Sequence, residues 1–156
     1  MQSKYDMYKK IWNGYTTAQL SEETKDKCFE TKKHFANIPK ELVQKFKEEN
    51  NRIIQFGCSD GHYIKNFVNQ KSVIGYDYAQ TSIHENEKHG VVMRQVDLNT
   101  ICDNQLSYES VLQKDLELPS NILMIRVLEY LKPQAAALLI FALIDHAKPG
   151  SRLHID

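Results

Sequence analysis

The segment that decides the fold reads Ile53-Ile54-Gln55-Phe56-Gly57-Cys58-Ser59-Asp60-Gly61. Its apolar first half predicts a short buried strand over residues 52–56. Glycine at positions 57 and 61 lets the backbone turn tightly and lets a ligand approach closely. Beyond the turn, apolar residues at positions 63, 64, 67 and 68 have helical spacing and predict an amphipathic helix. The segment therefore begins a unit of strand, glycine turn and helix.

The same alternation continues along the chain. Further strands are predicted at residues 72–76, 91–96, 122–125 and 152–155, and helices at 81–88, 107–114 and 134–147. Strands that alternate with helices indicate βαβ units and a parallel sheet. The predicted fold class is α/β, a Rossmann-like parallel sheet flanked by helices. We expect an N-terminal helical segment over residues 1–48 and the Rossmann-like core over residues 49–156.

Acidic residues end the second and third predicted strands. Asp77 follows Gly57 by 20 residues, where a carboxylate is placed to accept hydrogen bonds from both hydroxyls of a ribose. Tyr78 would then cover one face of the adenine. Asp97 would accept from the adenine amino group, with the backbone amide of Leu98 nearby. Aspartates also suit ordinary turns at strand ends, and the sequence leaves that alternative open.

These elements, in this order, resemble class I S-adenosylmethionine-dependent methyltransferases. The motifs that match are residues 55–61, Gly75-Tyr76-Asp77 and Val96-Asp97-Leu98, followed by residues 121–131 and 147–153 around the fourth and fifth strands. The resemblance covers about residues 50–156. It implies S-adenosylmethionine as the cofactor, and the cofactor-binding residues that it implies are Gln55, Gly57, Ser59, Gly61, Asp77, Tyr78, Asp97, Leu98 and Arg126.

The chain departs from the family pattern in three ways. Gln55 stands where the family usually has an acidic residue, and Ser59 replaces the middle glycine of the first motif. The family core has seven strands, whereas five are predicted here and the final antiparallel hairpin is missing. We therefore expect either a core truncated after the fifth strand or a partner, such as a second copy in a homodimer, that covers the open edge.

Methyl transfer to a small-molecule or protein acceptor is the expected activity. The alternative is a catalytically inactive, methyltransferase-like interaction module, which Gln55, Ser59 and the missing hairpin favour. His62 and Arg126 are the candidate catalytic residues near the cleft, and Arg126 also suits the methionine carboxylate. A nicotinamide-dependent dehydrogenase is less well supported, because residues 57–61 lack the G-x-G-x-x-G spacing.

A row of aromatic residues in the N-terminal segment suggests a lid over the cofactor. The row consists of Tyr5, Tyr8, Trp12 and Tyr15, which recur at helical spacing. The same spacing equally suits ordinary packing of an amphipathic helix on the core. Because their faces attract cations, they suit a sulfonium.

Composition indicates which classes of binding partner and which cellular location to expect. The chain has 20 basic and 20 acidic residues, so it lacks the basic excess typical of nucleic-acid binding. The three cysteines are widely spaced and form neither a disulfide framework nor a zinc pattern. The longest apolar run, residues 135–144, is too short to span a bilayer. We expect a cytoplasmic protein that binds no metal, nucleic acid or membrane.

Overall fold

Five parallel strands form the centre of the fold. The computed structural model describes residues 40–59, 61–69 and 72–156. In chain order the strands are β1 (Arg52–Phe56), β2 (Val73–Asp77), β3 (Val92–Gln95), β4 (Ser120–Met124) and β5 (Arg152–Ile155). Across the sheet the order is β3-β2-β1-β4-β5, and every neighbouring pair is parallel. The Rossmann-like α/β fold predicted from the sequence is therefore confirmed.

Four α-helices flank the sheet in the described part of the chain. They are α1 (Lys40–Glu48), α2 (Gln80–Glu87), α3 (Gln105–Asp115) and α4 (Pro133–His146). Short 3-10 helices occupy Ile64–Asn66, Leu98–Cys102 and Leu128–Tyr130. Among the described residues, no helix combines the length and the apolar character needed to cross a membrane.

The two faces of the sheet carry separate hydrophobic clusters, because successive residues of a strand point to opposite sides. On the first face, Ile54 and Phe56 pack with α3 and α4, and the Phe56 and Tyr76 rings stack with centroids 4.4 Å apart. On the second face, Ile53 packs with Phe46 of α1 and with Phe67. Strands buried on both faces read as nearly continuous apolar runs, which is why residues 52–56 and 122–125 were recognisable in the sequence.

The predicted helix after the glycine turn is wrong. Only Ile64–Asn66 is helical there, as a single 3-10 turn. The amide Nδ2 of Asn66 donates to the carbonyl oxygens of His62 and Tyr63, at 3.2 and 3.0 Å. Because this side chain takes carbonyls that a helix would use, it favours a turn. The apolar residues still serve the core, since Ile64 and Phe67 are buried.

The segment predicted as N-terminal helical is described only from Lys40 onward. Its helix α1 presents Leu42, Val43 and Phe46 to the core. Phe46 lies 6.3 Å from Phe67 between ring centroids. The proposed aromatic lid, residues 5–15, lies outside the described residues.

Candidate functional site

The point where the strand order reverses lies between β1 and β4. In open parallel sheets, ligands bind in the crevice beyond the carboxyl ends of the strands at this point. Two residues other than glycine adopt left-handed backbone angles in the described chain: Ser59, with φ of 47°, and Arg126, with φ of 53°. Ser59 follows β1 and Arg126 follows β4, so both flank the crevice. Unfavourable backbone angles of this kind are concentrated at functional sites.

The carboxylate of Asp77 holds the glycine turn in place. Its Oδ2 accepts a hydrogen bond from the backbone N–H of Ser59 at 2.8 Å, and its Oδ1 accepts from the N–H of Ala79 at 3.0 Å. One side chain at the end of β2 thus ties together the turn after β1 and the entry to α2. Sequence reasoning placed Asp77 at this site but assigned its hydrogen bonds to a ribose.

Burial raises the pKa of Asp77, although backbone N–H groups of Ala79, Ser59 and Tyr78 lower it and partly offset this effect. The side chain is almost enclosed, with the residue 8% exposed. The two carboxylate oxygens offer about four acceptor positions, and these three backbone N–H groups use three of them. Asp77 therefore keeps one acceptor position for a ligand.

Asn86 of α2 holds the same turn from the other side. Its Nδ2 donates to the carbonyl oxygen of Ser59 at 2.7 Å and to that of Ser82 at 2.8 Å. Ser59 is thus held at its N–H by Asp77 and at its C=O by Asn86. Asn86 is fully buried, and its Oδ1 has no hydrogen-bond partner among the described residues. The sequence contained no motif around Asn86, and its role was missed.

Protein side chains lie against both glycines of the turn. A Cβ on Gly61 would come within 1.9 Å of Asn86 Oδ1, and a Cβ on Gly57 within 2.6 Å of Val127 Cγ2. Both glycines also have positive φ, of 65° at Gly57 and 76° at Gly61. The turn therefore requires glycine for its own packing. Its amides are also used within the protein, since the N–H groups of Gly57 and Cys58 donate to the Tyr76 carbonyl and that of Gly61 donates to the Cys58 carbonyl.

Tyr78 and Asp97 lie together at the ends of β2 and β3. The N–H of Val96 donates to the Asp77 carbonyl at 2.7 Å, so the chain segments that follow β2 and β3 lie side by side. Burial raises the pKa of the Tyr78 phenol, and the charges of Asp77 and Asp97 raise it further. Asp97 caps the following 3-10 helix by accepting from the N–H of Asn99 at 3.0 Å. The backbone carbonyl of Asp97 accepts hydrogen bonds from the hydroxyls of Thr100 and Tyr108. The structure thus brings Asp77, Tyr78 and Asp97 together.

Leu98 contributes its side chain to the core rather than to an open surface. It begins the 3-10 helix and is 6% exposed. Its predicted contribution, the backbone amide, remains a prediction.

Gln55 is a buried polar residue in the middle of β1. It is 2% exposed, and its Oε1 has no hydrogen-bond partner among the described residues. Alternation along β1 puts its side chain on the same sheet face as Ile53. A buried acceptor without a donor is costly, and such groups in native proteins call for an explanation such as a water or ligand.

The two candidate catalytic residues differ in their surroundings. Arg126 pairs with Glu129, with Nε 3.0 Å from Oε1, and its backbone N–H donates to the carbonyl oxygen of Asp156. His62 is exposed, and its ring meets the Tyr63 ring edge-on at a centroid distance of 5.0 Å. Arg126 thus lies at the crevice with a carboxylate partner, whereas His62 lies on the surface of the turn after Gly61.

No group of histidine, cysteine or acidic side chains in the described residues is arranged to hold a metal ion. The described cysteines, Cys58 and Cys102, are not in disulfide bonds. Sulfur atoms of Cys58 and Met93 lie 4.0 Å apart beneath the glycine turn, where both residues pack against the core.

Replacing Ser59 by glycine is expected to stabilise the chain. The left-handed angle of Ser59 strains a residue with a Cβ, and glycine removes that strain at a gain of about 0.5–1 kcal/mol. The backbone bonds to Asp77 and Asn86 need no side chain, so they persist. Chemical denaturation of Ser59→Gly and wild type measures the effect, with Ser82→Gly, in regular helix, as a control that should lose stability. A destabilised Ser59→Gly would contradict this interpretation.

In comparisons with protein-family models and with curated proteins, nothing matches this chain. The fold is Rossmann-like, and because one fold supports many activities, function depends on the side chains at the site.

Proposed function

We propose that the chain binds S-adenosylmethionine at the carboxyl edge of β1, β2 and β3 and transfers its methyl group to a small-molecule or protein acceptor. The observation that carries this proposal is the grouping of Asp77, Tyr78 and Asp97 beside a strained glycine turn at the strand-order reversal. Two carboxylates and an aromatic ring suit the hydroxyls and the base of an adenosine.

The residues present fit the two ends of this cofactor. Asp77 retains one acceptor position for a ribose hydroxyl, and Tyr78 and Asp97 suit the adenine. The unpartnered Oε1 of buried Gln55 is an acceptor for the methionine ammonium or for a water that bridges to it. Arg126, beside the crevice, suits the methionine carboxylate. The missing negative charge at position 55 predicts weaker binding than a carboxylate there would allow.

Bound S-adenosylmethionine would supply an electrophilic methyl group, so the chain's own residues have mainly to bind and orient the reactants. The Asp77 and Asn86 bonds to Ser59 fix the turn before any ligand arrives. A general base is required only if the acceptor must lose a proton. His62 is the exposed candidate for that role.

A second candidate function is a non-catalytic interaction module with the same fold. It is favoured because the protein's own side chains occupy the space around the glycine turn. Val127 lies against Gly57 and Asn86 lies against Gly61. Asp77 already accepts hydrogen bonds from backbone amides. A site that satisfies itself in this way can keep the fold without a cofactor.

Calorimetric titration with S-adenosylmethionine tests the proposal. We expect binding by the wild-type chain and at least about a 10-fold loss in Asp77→Asn, since a charge-assisted hydrogen bond contributes about 1.5–3 kcal/mol. Tyr78→Leu should also weaken binding while it leaves the Asp77 bonds to the turn intact. This second variant separates ligand contacts from damage to the turn.

The matched control is Asp103→Asn, which makes the same chemical change at an exposed acid after the 3-10 helix. It should bind as the wild type does. Absence of binding by the wild-type chain would overturn the cofactor proposal and leave the interaction module. Equal binding by wild type, Asp77→Asn and Tyr78→Leu would mean that the cofactor lies elsewhere.

A further inference from the structure

Val127 fills part of the crevice in which the strand order reverses. It lies three residues after Met124, the last residue of β4. Its Cγ2 is 2.6 Å from the position that a Cβ on Gly57 would take, and its Cβ is 3.1 Å from that position. Gly57 directly follows β1, so the valine covers the carboxyl end of β1 from the β4 side. Open parallel sheets hold their ligands in this region.

The backbone on both sides of this contact supports it. Arg126, which precedes the valine, has a left-handed φ of 53°. Such an angle is unfavourable for a residue with a Cβ and persists only where the surroundings hold it. Gly57 lacks the side chain that would collide with the valine. Val127 is 7% exposed and belongs to the core cluster of the first sheet face, so it forms a fixed wall of the crevice.

The side-chain amide of Asn99 ties the segment after β4 to the loop after β3. Its Oδ1 accepts from the N–H of Lys132 at 2.7 Å, and its Nδ2 donates to the Tyr130 carbonyl oxygen at 3.4 Å. The backbone N–H of Asn99 donates to Asp97. Since β2 and β1 lie between β3 and β4, these bonds cross two strands. They join the loop that carries Asp97 to the segment that carries Val127.

A ligand held at the ends of β2 and β3 meets Val127 on its way toward β4. Asp77, Tyr78 and Asp97 lie at those two strand ends and suit an adenosine. Any part of the ligand that extends toward Arg126 has to cross the carboxyl end of β1, where Val127 covers Gly57. A nucleoside alone ends before this point, whereas an amino-acid arm continues past it.

We propose, as an inference that rests on the proposed adenosyl-binding function, that Val127 determines how much of a ligand the crevice admits. Adenosine and nucleosides with a short 5′ substituent fit beside it. The amino-acid arm of S-adenosylmethionine enters only as residues 126–132 shift, so its binding includes the cost of displacing Val127. Because Asn99 restrains the same segment, it is a positioning residue that acts on the ligand through Val127.

Truncating Val127 should favour the longer ligand selectively. In calorimetric titrations, Val127→Ala should bind S-adenosylmethionine at least about 10-fold more tightly than the wild-type chain, since one methylene in an apolar pocket changes discrimination by that order. Adenosine, which has no arm, should bind both proteins equally. The ratio of the two affinities is the decisive quantity, because a general change in the fold would affect both ligands alike.

Val73→Ala is the matched control. It makes the same truncation at a valine that is 3% exposed and begins β2, at the opposite end of the sheet from the crevice. Both variants should lower the midpoint of thermal unfolding, because each leaves a small cavity in the core. Only Val127→Ala should change the affinity ratio. A gain of affinity in a destabilised protein identifies a steric obstacle rather than damage to the site.

Asn99→Ala tests the same segment by a second route. Without the bonds to Tyr130 and Lys132, residues 126–132 should shift more easily, so affinity for S-adenosylmethionine should rise relative to adenosine although Val127 is retained. Asn104→Ala is its control, because the Asn104 side chain is exposed and makes no capping bond to the helix that it precedes. That variant should leave both affinities unchanged.

The outcomes separate this inference from the proposed function. Adenosine binding without any gain for S-adenosylmethionine in Val127→Ala would overturn the inference and leave the adenosyl site in place. Equal gains for both ligands would also overturn it, since Val127 would then not act on the arm. If Val127→Ala does not fold, the ratio in Asn99→Ala decides. If neither ligand binds the wild type or any variant, the proposed function falls and the inference falls with it.

Discussion

Replacing Asp115 by alanine is expected to lower the free energy of unfolding by about 3 kcal/mol, because it leaves buried donors without an acceptor. Asp115 ends α3 and is 3% exposed. Its carboxylate accepts from the Tyr76 hydroxyl at 2.6 Å and from two nitrogens of Arg94 at 2.9 and 2.8 Å. Urea denaturation measures the loss. The control is Glu117→Ala, which removes a mostly exposed partner of Arg52 and should change stability by less than about 0.5 kcal/mol.

The Asp115 effect should depend on pH. Burial raises the pKa of the Asp115 carboxyl, but hydrogen bonds from Arg94 and Tyr76 outweigh it and hold the pKa below the ordinary value of 3.8. A lowered folded pKa stabilises the protein above the unfolded pKa, and this contribution is lost as pH falls through the folded value. The stability difference between wild type and Asp115→Ala should therefore shrink below pH 4. A difference that grew on acidification would contradict the proposed network.

Replacing Gly61 by alanine should cost about 3 kcal/mol or more, through backbone strain and a steric clash together. The new Cβ would lie 1.9 Å from Asn86 Oδ1. The Asn86 side chain cannot swing away without breaking its bonds to the carbonyls of Ser59 and Ser82. Thermal or chemical unfolding provides the measurement.

Gly90→Ala is the matched control for that substitution. Gly90 has a φ of 83°, close to the 76° of Gly61, but nothing lies within 4 Å of the position of its Cβ. It should lose about 1 kcal/mol, which is the cost of the left-handed angle alone. Equal losses in the two variants would mean that Asn86 gives way easily, and that it does not hold the turn.

The sheet was predictable because strands that are buried on both faces need apolar side chains at successive positions, which appear as apolar runs in the sequence. β1 and β5 begin and end where the sequence predicted, and the other strands lie within two residues of their predicted bounds. The positions of Asp77 and Asp97 at strand ends followed from the same runs. A ligand crevice beyond the carboxyl ends of the strands then follows from the parallel sheet.

The contacts that hold the site together could not be predicted in this way. Asn86 reaches Ser59 across 27 residues, and Asp115 reaches Tyr76 across 39, and neither pairing leaves a local pattern. The prediction of a helix after the turn was wrong for a related reason. The apolar residues there have helical spacing, but the side chain of Asn66 hydrogen-bonds to carbonyls that a helix requires. Periodicity reports which side chains are buried, whereas these features depend on individual polar partners.

Binding of an adenosyl cofactor at the carboxyl edge around Asp77 is tested most directly by amide NMR spectra recorded during a titration with S-adenosylmethionine. The N–H groups of Ser59, Ala79 and Asn99 already donate to Asp77 or Asp97, so they report on any ligand that engages those carboxylates. We predict saturable shifts at these amides and at Tyr78, with the amides of β5 unchanged. No shift at saturating cofactor, or shifts confined to residues far from these carboxylates, would contradict the claim.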